Sequence, residues 1–213
     1  MRLMGPIGRE YVDVEYDQFA PTKSTAWLRT AATSVATVLM LPLFPMARHS
    51  DYVFRTMSEI LAIVPFVFGI ALREAFYRSV LDRCGKNLLV EFGTTFHYRD
   101  VRIGDNVLIS GMTTIHHCDI GDNVLVGEGC RLLSGRRQHR YDRTDTPMNR
   151  QGGQMKRIQL SDDVWIGDNA VIMNDVRRGA IVAAGSVVIH PVESYTICGG
   201  NPARVLRHRE PPQ

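Results

Sequence analysis

A chain of 213 residues with 45% hydrophobic and 22% charged side chains has room for one ordinary domain and an appendage, which excludes a disordered or low-complexity protein. The net charge of +3 is too small to argue for nucleic acid as a partner; the local clustering of arginines carries more information than the total. Four cysteines, Cys84, Cys118, Cys130 and Cys198, show no Cys-x-x-Cys spacing and point to a reduced, cytoplasmic setting.

Residues 1–23 have neither the basic-then-apolar order of a secretory signal nor the acid-poor composition of a transit peptide, so a retained, loosely ordered tail is expected there. Residues 24–84 read as helical, with two apolar stretches, AATSVATVLMLPLFPMA and ILAIVPFVFGIAL, followed by the basic amphipathic LREAFYRSVLDR. The first stretch is diluted by Thr33, Ser34 and Thr37 and broken by Pro42 and Pro45, and the second is short and holds Pro65. A membrane-spanning helix needs roughly 20 apolar residues, so neither serves as a straight span. Basic residues stand at every boundary (Lys23, Arg29, Arg48, Arg55, Arg73, Arg78, Arg83) rather than on one side. That distribution suits helices lying on or dipping into the cytoplasmic face of a membrane; the other reading is a helical cap packed on a soluble protein.

From residue 85 to 208 the period changes. Aliphatic residues recur at Ile103, Ile109 and Ile115, after a five-residue step at Ile120, Val126 and Leu132, and again at Leu160, Ile166 and Ile172. A break of four residues, Arg178 to Ile181, is placed before Val182 and Val188. A second column of small residues (Gly104, Ser110, Gly121, Gly127, Ser161, Gly167) follows the aliphatic one, and Val107, Thr113, Val124, Cys130, Val164 and Ala170 sit three positions later. A six-residue beat is neither sheet alternation nor helical spacing. It predicts triangular coils with one inward aliphatic residue per side, stacked on a continuous core, with small residues tolerating the backbone angles of the corners. The fold class expected is mainly β, a parallel β-helix behind an N-terminal helical, membrane-associating region, with a tail at 209–213.

One segment, residues 134–159, interrupts the beat with a long, polar, basic loop carrying a single histidine, His139. Loops of this length inside a compact domain are usually functional or disordered.

The stretches IGDNVLI, IGDNVLVGEG, DDVWIGDNAVI, VAAGSVV and YTICGGNPARVLR, over about residues 88–208, resemble the left-handed β-helix hexapeptide-repeat acyltransferases. The likeness is greatest to galactoside and maltose acetyltransferases and to sugar O-acetyltransferases of polysaccharide biosynthesis. The resemblance implies a homotrimer that takes acetyl-coenzyme A in a groove between adjacent β-helices and transfers the acetyl group to a sugar or glycan hydroxyl, with no metal. In GRRQHRYD, His139 stands where the family keeps its general base, and Arg136 replaces the first histidine of the galactoside-type motif. IHHCDIGDN supplies the rival, because related enzymes acting on amino sugars or lipid precursors carry their base where His116 stands. The resemblance assigns Trp165, Gly167 and Ala184 to the coenzyme groove and Arg204 to the coenzyme phosphates, with His190 a substitute where the family has Thr-Lys. Free sugars are the alternative acceptor. Two less favoured readings are a γ-class carbonic anhydrase, for which His116, His117 and His139 have the right residue type but lack the spacing, and a non-catalytic β-helix scaffold.

Overall fold

The computed structural model describes residues 23–209; the expected N-terminal tail and most of the C-terminal one lie outside them. Four helices come first: α1 (Lys23–Met40), α2 (Leu43–His49), α3 (Asp51–Ala62) and α4 (Phe66–Val80). Pro42 sits between α1 and α2, and Pro65 marks the start of α4, as expected where a residue without an amide proton interrupts helical bonding. Ser50 opens α3 by accepting a hydrogen bond from the Val53 amide at 3.4 Å.

Sixteen short strands follow among the described residues. β1 (Arg83–Cys84), β2 (Leu88–Val90) and β3 (Thr95–Phe96) form the first triangular coil; β4 (Arg102–Ile103), β5 (Val107–Ile109) and β6 (Thr114–Ile115) the second; β7 (Cys118–Ile120), β8 (Leu125–Val126) and β9 (Arg131–Leu132) the third. Beyond the excursion come β10 (Ile158–Leu160), β11 (Trp165–Ile166) and β12 (Val171–Ile172), then β13 (Ile181–Val182) and β14 (Val187–Val188), then β15 (Thr196–Gly199) and β16 (Arg204–His208). The strands stack into three parallel faces: β1-β4-β7-β10, β2-β5-β8-β11-β13-β15, and β3-β6-β9-β12-β14. Only β16 runs antiparallel, closing the second face against β15. The result is a parallel β-helix of about six turns.

Both apolar columns of the repeat point inward and are buried, from Ile103, Ile109 and Ile115 through Ile172, Val182 and Val188. The reason for the small residues differs from the expectation. Gly104 and Gly121 have ordinary backbone angles; what excludes a side chain is a carboxylate from the next coil. A Cβ on Gly104 would stand 2.2 Å from Asp122 Oδ1, and one on Gly121 2.4 Å from Asp162 Oδ1. Those aspartates accept hydrogen bonds from backbone amides one coil away: Asp105 takes Lys86 N–H, Asp122 takes Asp105 N–H and Asp162 takes Asp122 N–H, at 2.7 to 3.0 Å. The left-handed corner residue is instead the asparagine that follows (Asn87, Asn106, Asn123, φ near +56°), a conformation asparagine tolerates. Its side-chain amides stack into a ladder at 2.9 and 3.0 Å.

Two corners of the triangle turn through such left-handed residues, the second through Gly93, Met112, Gly129, Asn169 and Gly185. The third corner, from face three back to face one, uses none outside the excursion, and its length varies. Every departure from the six-residue beat falls there. The short step after β12 is therefore Ile172 to Val176, which pairs with Leu160 and Val192, and Val176 to Val182 is a regular hexad; the expected break at Arg178–Ile181 is corrected to Met173–Asp175.

Helices α3 and α4 pack on the first coil through Phe54, Phe76, Tyr77 and Phe96, whose rings lie 4.2 to 6.5 Å apart. Ser58, fully buried, accepts the Phe96 amide at 2.8 Å and bonds the Tyr77 hydroxyl at 2.8 Å. Buried Arg73 donates to Val90 O in β2 and to Leu61 O and Val64 O at the end of α3, at 2.7 to 2.9 Å. Among the described residues no single helix is long and apolar enough to cross a membrane, although the pair Thr30–Met40 and Leu43–His49, bent by 72°, meets the length and composition together.

Ser58→Ala leaves a buried amide and a buried phenol without their partner, so it is expected to destabilise the protein by about 2 to 4 kcal/mol. A urea midpoint unchanged from the parent protein would mean that the cap does not hold the first coil.

Candidate functional site

The excursion leaves β9 at Leu133 and rejoins the repeat at Ile158, two residues before the expected boundary. It starts from the third corner, where no left-handed ladder restricts the path. Its two arms fold back on each other: Lys156 N–H donates to Ser134 O, Gln154 N–H to Arg137 O and Arg140 N–H to Gly152 O, at 2.7 to 3.0 Å. Gly153 is required because a Cβ there would lie 1.8 Å from Gln138 O. At the tip, Gln151 bonds the backbone of Arg143 and Thr146, while Arg143 is held by Asp145 at 2.7 and 2.9 Å.

His139 stands exposed on this loop and lines a cavity of about 320 Å³ with Arg137, Arg140, Tyr141, Asp142 and Gln154. A neighbouring cavity of about 700 Å³, shared through Arg137, Tyr141 and Gln154, is walled by Arg136, Met155, Lys156, Met173 and Asn174. His139 has no hydrogen-bond partner among the described residues, so a substrate can reach its ring without displacing one.

At the root of the loop, on the same corner, side chains from successive coils stack. His97 lies over His116 with centroids 4.5 Å apart, and Tyr98 over His117 at 3.7 Å. The rival base His116 is ill-equipped: its Nδ1 is buried with no hydrogen-bond partner, and burial, with His97, His117 and Arg55 adding like charge, pushes its pKa down to about 4. Its neighbour His117 has what a base needs. Nδ1 bonds both oxygens of Asp100 at 2.9 Å, and Arg157 holds Asp100 at 2.5 Å and Asp119 at 2.9 Å. This histidine–carboxylate pair was missed in the sequence because its members are 17 residues apart. That separation is one coil, so the register alone could have revealed it.

The coenzyme residues separate into two groups. Trp165 lies exposed on face two in β11, Gly167 follows it with its backbone against Ala184 (a Cβ would meet Ala184 N at 2.5 Å), and Ala184 stands exposed at the second corner. Arg204 opens β16 opposite Gly199, toward the same corner. His190 instead follows β14 on the third corner, where Asn174 donates to Ile189 O at 3.2 Å and receives Lys156 Nζ at 2.7 Å. Within one chain, therefore, His190 joins the loop of His139, and Trp165, Gly167, Ala184 and Arg204 lie across face three from it. No group of three histidine, cysteine or carboxylate side chains is arranged to hold a metal among the described residues.

Residues 100–134 match the bacterial transferase hexapeptide family (six repeats). Over these residues the chain carries the hexapeptide repeat of that family. A protein of Lysinibacillus sphaericus named probable macrolide acetyltransferase is 34% identical over a match covering 44% of this chain and 65% of that protein. This chain spans between 39% and 65% of the lengths of three curated acetyltransferase relatives. The crystal structure of a hexapeptide-repeat-containing acetyltransferase from Vibrio cholerae superposes with a TM-score of 0.59 at 27% identity, covering 86% of this chain and 94% of that one. The same protein complexed with acetyl-coenzyme A superposes at 0.60 and 24% over 92% and 94%. A galactoside acetyltransferase in complex with coenzyme A shares the fold, with a TM-score of 0.65 at 23% identity over 78% of this chain and 82% of that one.

The stacked histidines give a pH signature. Burial holds His116 neutral in the fold and lowers the pKa of His97 in the same direction, whereas in the unfolded chain each takes a proton near pH 6.5. The unfolded state then binds more protons, so stability is complete above about pH 6.5 and falls as the pH is lowered toward about 4. His116→Phe should flatten that slope while keeping the stack on His97. Denaturation midpoints that fall equally in both proteins across this window would show that His116 does not carry the effect.

Proposed function

We propose that this chain is an acetyl-coenzyme A-dependent O-acetyltransferase acting on a sugar hydroxyl, with His139 as general base. The observation that carries the reading is a β-helix interrupted by one long basic loop that brings an unpartnered histidine to the wall of a cavity adjoining a larger one. The likeness to the Vibrio cholerae acetyltransferase over nearly the whole of both chains supports the acyl chemistry.

In this reading His139 accepts the acceptor's hydroxyl proton as the oxygen attacks the thioester carbonyl carbon. The carbonyl oxygen takes up negative charge against backbone amides, the carbon–sulfur bond breaks, and the imidazolium returns its proton to the departing thiolate. The coenzyme lies along Trp165, Gly167 and Ala184, with Arg204 on its phosphates and His190 toward the loop. Since that wall and His139 stand on different corners of one chain, the complete site needs a second copy whose wall meets this loop. A closed trimer of prisms satisfies this. A second reading rests on one observation: Asp100 orients His117, which makes His117 rather than His116 the rival base.

His139→Ala should lower acetyl transfer roughly 100- to 10,000-fold at saturating coenzyme while leaving coenzyme binding and oligomer mass intact. If that variant stays within a few-fold of the parent and His117→Ala loses activity on this scale, the base is His117.

The helical region gives the protein a place to work. The α3–α4 elbow exposes Ile60, Ile63, Val67, Phe68 and, 86% exposed with φ +61°, Phe66. A bulky residue in that backbone region is strained, and an aromatic ring held outward at such cost fits shallow insertion into the cytoplasmic membrane face. The acceptor is then a membrane-proximal glycan or glycolipid of polysaccharide biosynthesis. The protein should float with phospholipid vesicles in a density gradient, and Phe66→Asp with Val67→Asp should abolish flotation. Parent protein remaining at the bottom of the gradient would make the helices a cap alone.

A further inference from the structure

The loop carries more positive charge than its own fold uses. Between Ser134 and Arg157 there are seven basic side chains and two acidic ones. Three of the seven are neutralised within the chain: Arg143 by Asp145, Lys156 by Asp175 at 2.9 Å, and Arg157 by Asp100 and Asp119. Arg136, Arg137 and Arg140 have no carboxylate or carbonyl on their guanidinium groups among the described residues, and these three line the two joined cavities. The seven are thus distributed: the three paired ones at the root and tip of the loop, Arg136, Arg137 and Arg140 on the cavity walls, and Arg150, in the helical turn Met148–Arg150, unpaired among the described residues and on neither cavity.

We propose that these cavities bind the phosphate or diphosphate of a glycosyl acceptor, so that the sugar to be acetylated arrives phosphorylated or carried on a diphosphate. A planar guanidinium matches two phosphate oxygens at once, and Arg136 and Arg137, adjacent in sequence on one wall, present two such forks. A lone carboxylate satisfies one fork; a diphosphate satisfies both. Tyr141 is exposed on the rim, and Met155 and Met173 give apolar surface for the sugar or for the group beyond the phosphates. A cavity of about 700 Å³ is large enough for a glycosyl diphosphate. His139, on the adjoining cavity with Arg137 and Arg140, is then next to the hydroxyls of a sugar whose phosphate end is fixed by Arg136 and Arg137.

The word acceptor rests on the acetyl-transfer reading; the anion site does not. Coenzyme A also carries phosphates, so the test must separate the two sources. Inorganic pyrophosphate is titrated calorimetrically into the full chain with and without saturating coenzyme A, and into the Arg136→Ala, Arg137→Ala double variant. Pyrophosphate should bind in both conditions, and the double variant should bind it at least roughly tenfold more weakly while its affinity for coenzyme A stays within about twofold. Pyrophosphate excluded by coenzyme A, or a double variant that loses coenzyme affinity, would hand the arginines to the coenzyme and overturn the proposal. So would pyrophosphate binding that is absent or indifferent to the substitutions. Because no readout depends on turnover, loss of the anion site and loss of the acetyltransferase reading are told apart.

Discussion

A coil built from strands of two or three residues cannot satisfy its own backbone. Its strand amides and carbonyls bond to the coil before or after, so no coil is stable alone and the register of one fixes the next. The corner carboxylates extend the same dependence to the turns, because Asp122 serves the amide of Asp105 and is itself followed by Asp162 serving Asp122. Such a stack keeps a constant length at the two corners that turn through left-handed residues. Only the third is free to vary, and the excursion with its cavities is found there.

The same requirement explains the cap. The first coil has no predecessor, and the cap meets its edge with groups chosen for hydrogen bonding. Gly93 N–H finds Ala62 O at 2.8 Å, the Phe96 amide finds Ser58, and Val90 O receives the buried guanidinium of Arg73. Arg73 also closes the last turn of α3 through Leu61 O and Val64 O, so one side chain ties the helices to the β-helix. Burial lowers its pKa without depriving it of charge, and the three carbonyls replace the water it gives up. At the other end β16 folds back antiparallel over β15, covering the last free edge with a strand of exposed, mostly basic side chains.

The inward columns of the repeat were legible because burial selects aliphatic residues at fixed spacing, and the excursion was legible as their interruption. The phase error after Ile172 arose because Val176 forms a single bridge rather than a strand and its corner is short; a beat counted forward from Ile172 passes over it. The purpose of the small residues was misread since it lies in the neighbouring coil: Gly104 is small for Asp122, which no local rule connects to it. His117 went unrecognised for the same reason, its partners Asp100 and Arg157 being one coil and one excursion away. The apolar helical stretches were ambiguous because packing under a coil and immersion in lipid select the same side chains. Phe76 and Phe54 face the coil and Phe66 does not, a division visible only once the helices are placed.

The third corner has a further meaning in evolutionary terms. Chain length there is decoupled from core register: steps of four, five and seven residues and the long excursion all return to the same inward column. Insertions and exchanges at this position leave the aliphatic stack and both left-handed corners untouched, so selection can rewrite what the loop recognises without reopening the problem of folding. The same property makes Leu133 and Ile158 natural splice points for grafting a foreign recognition loop onto this prism.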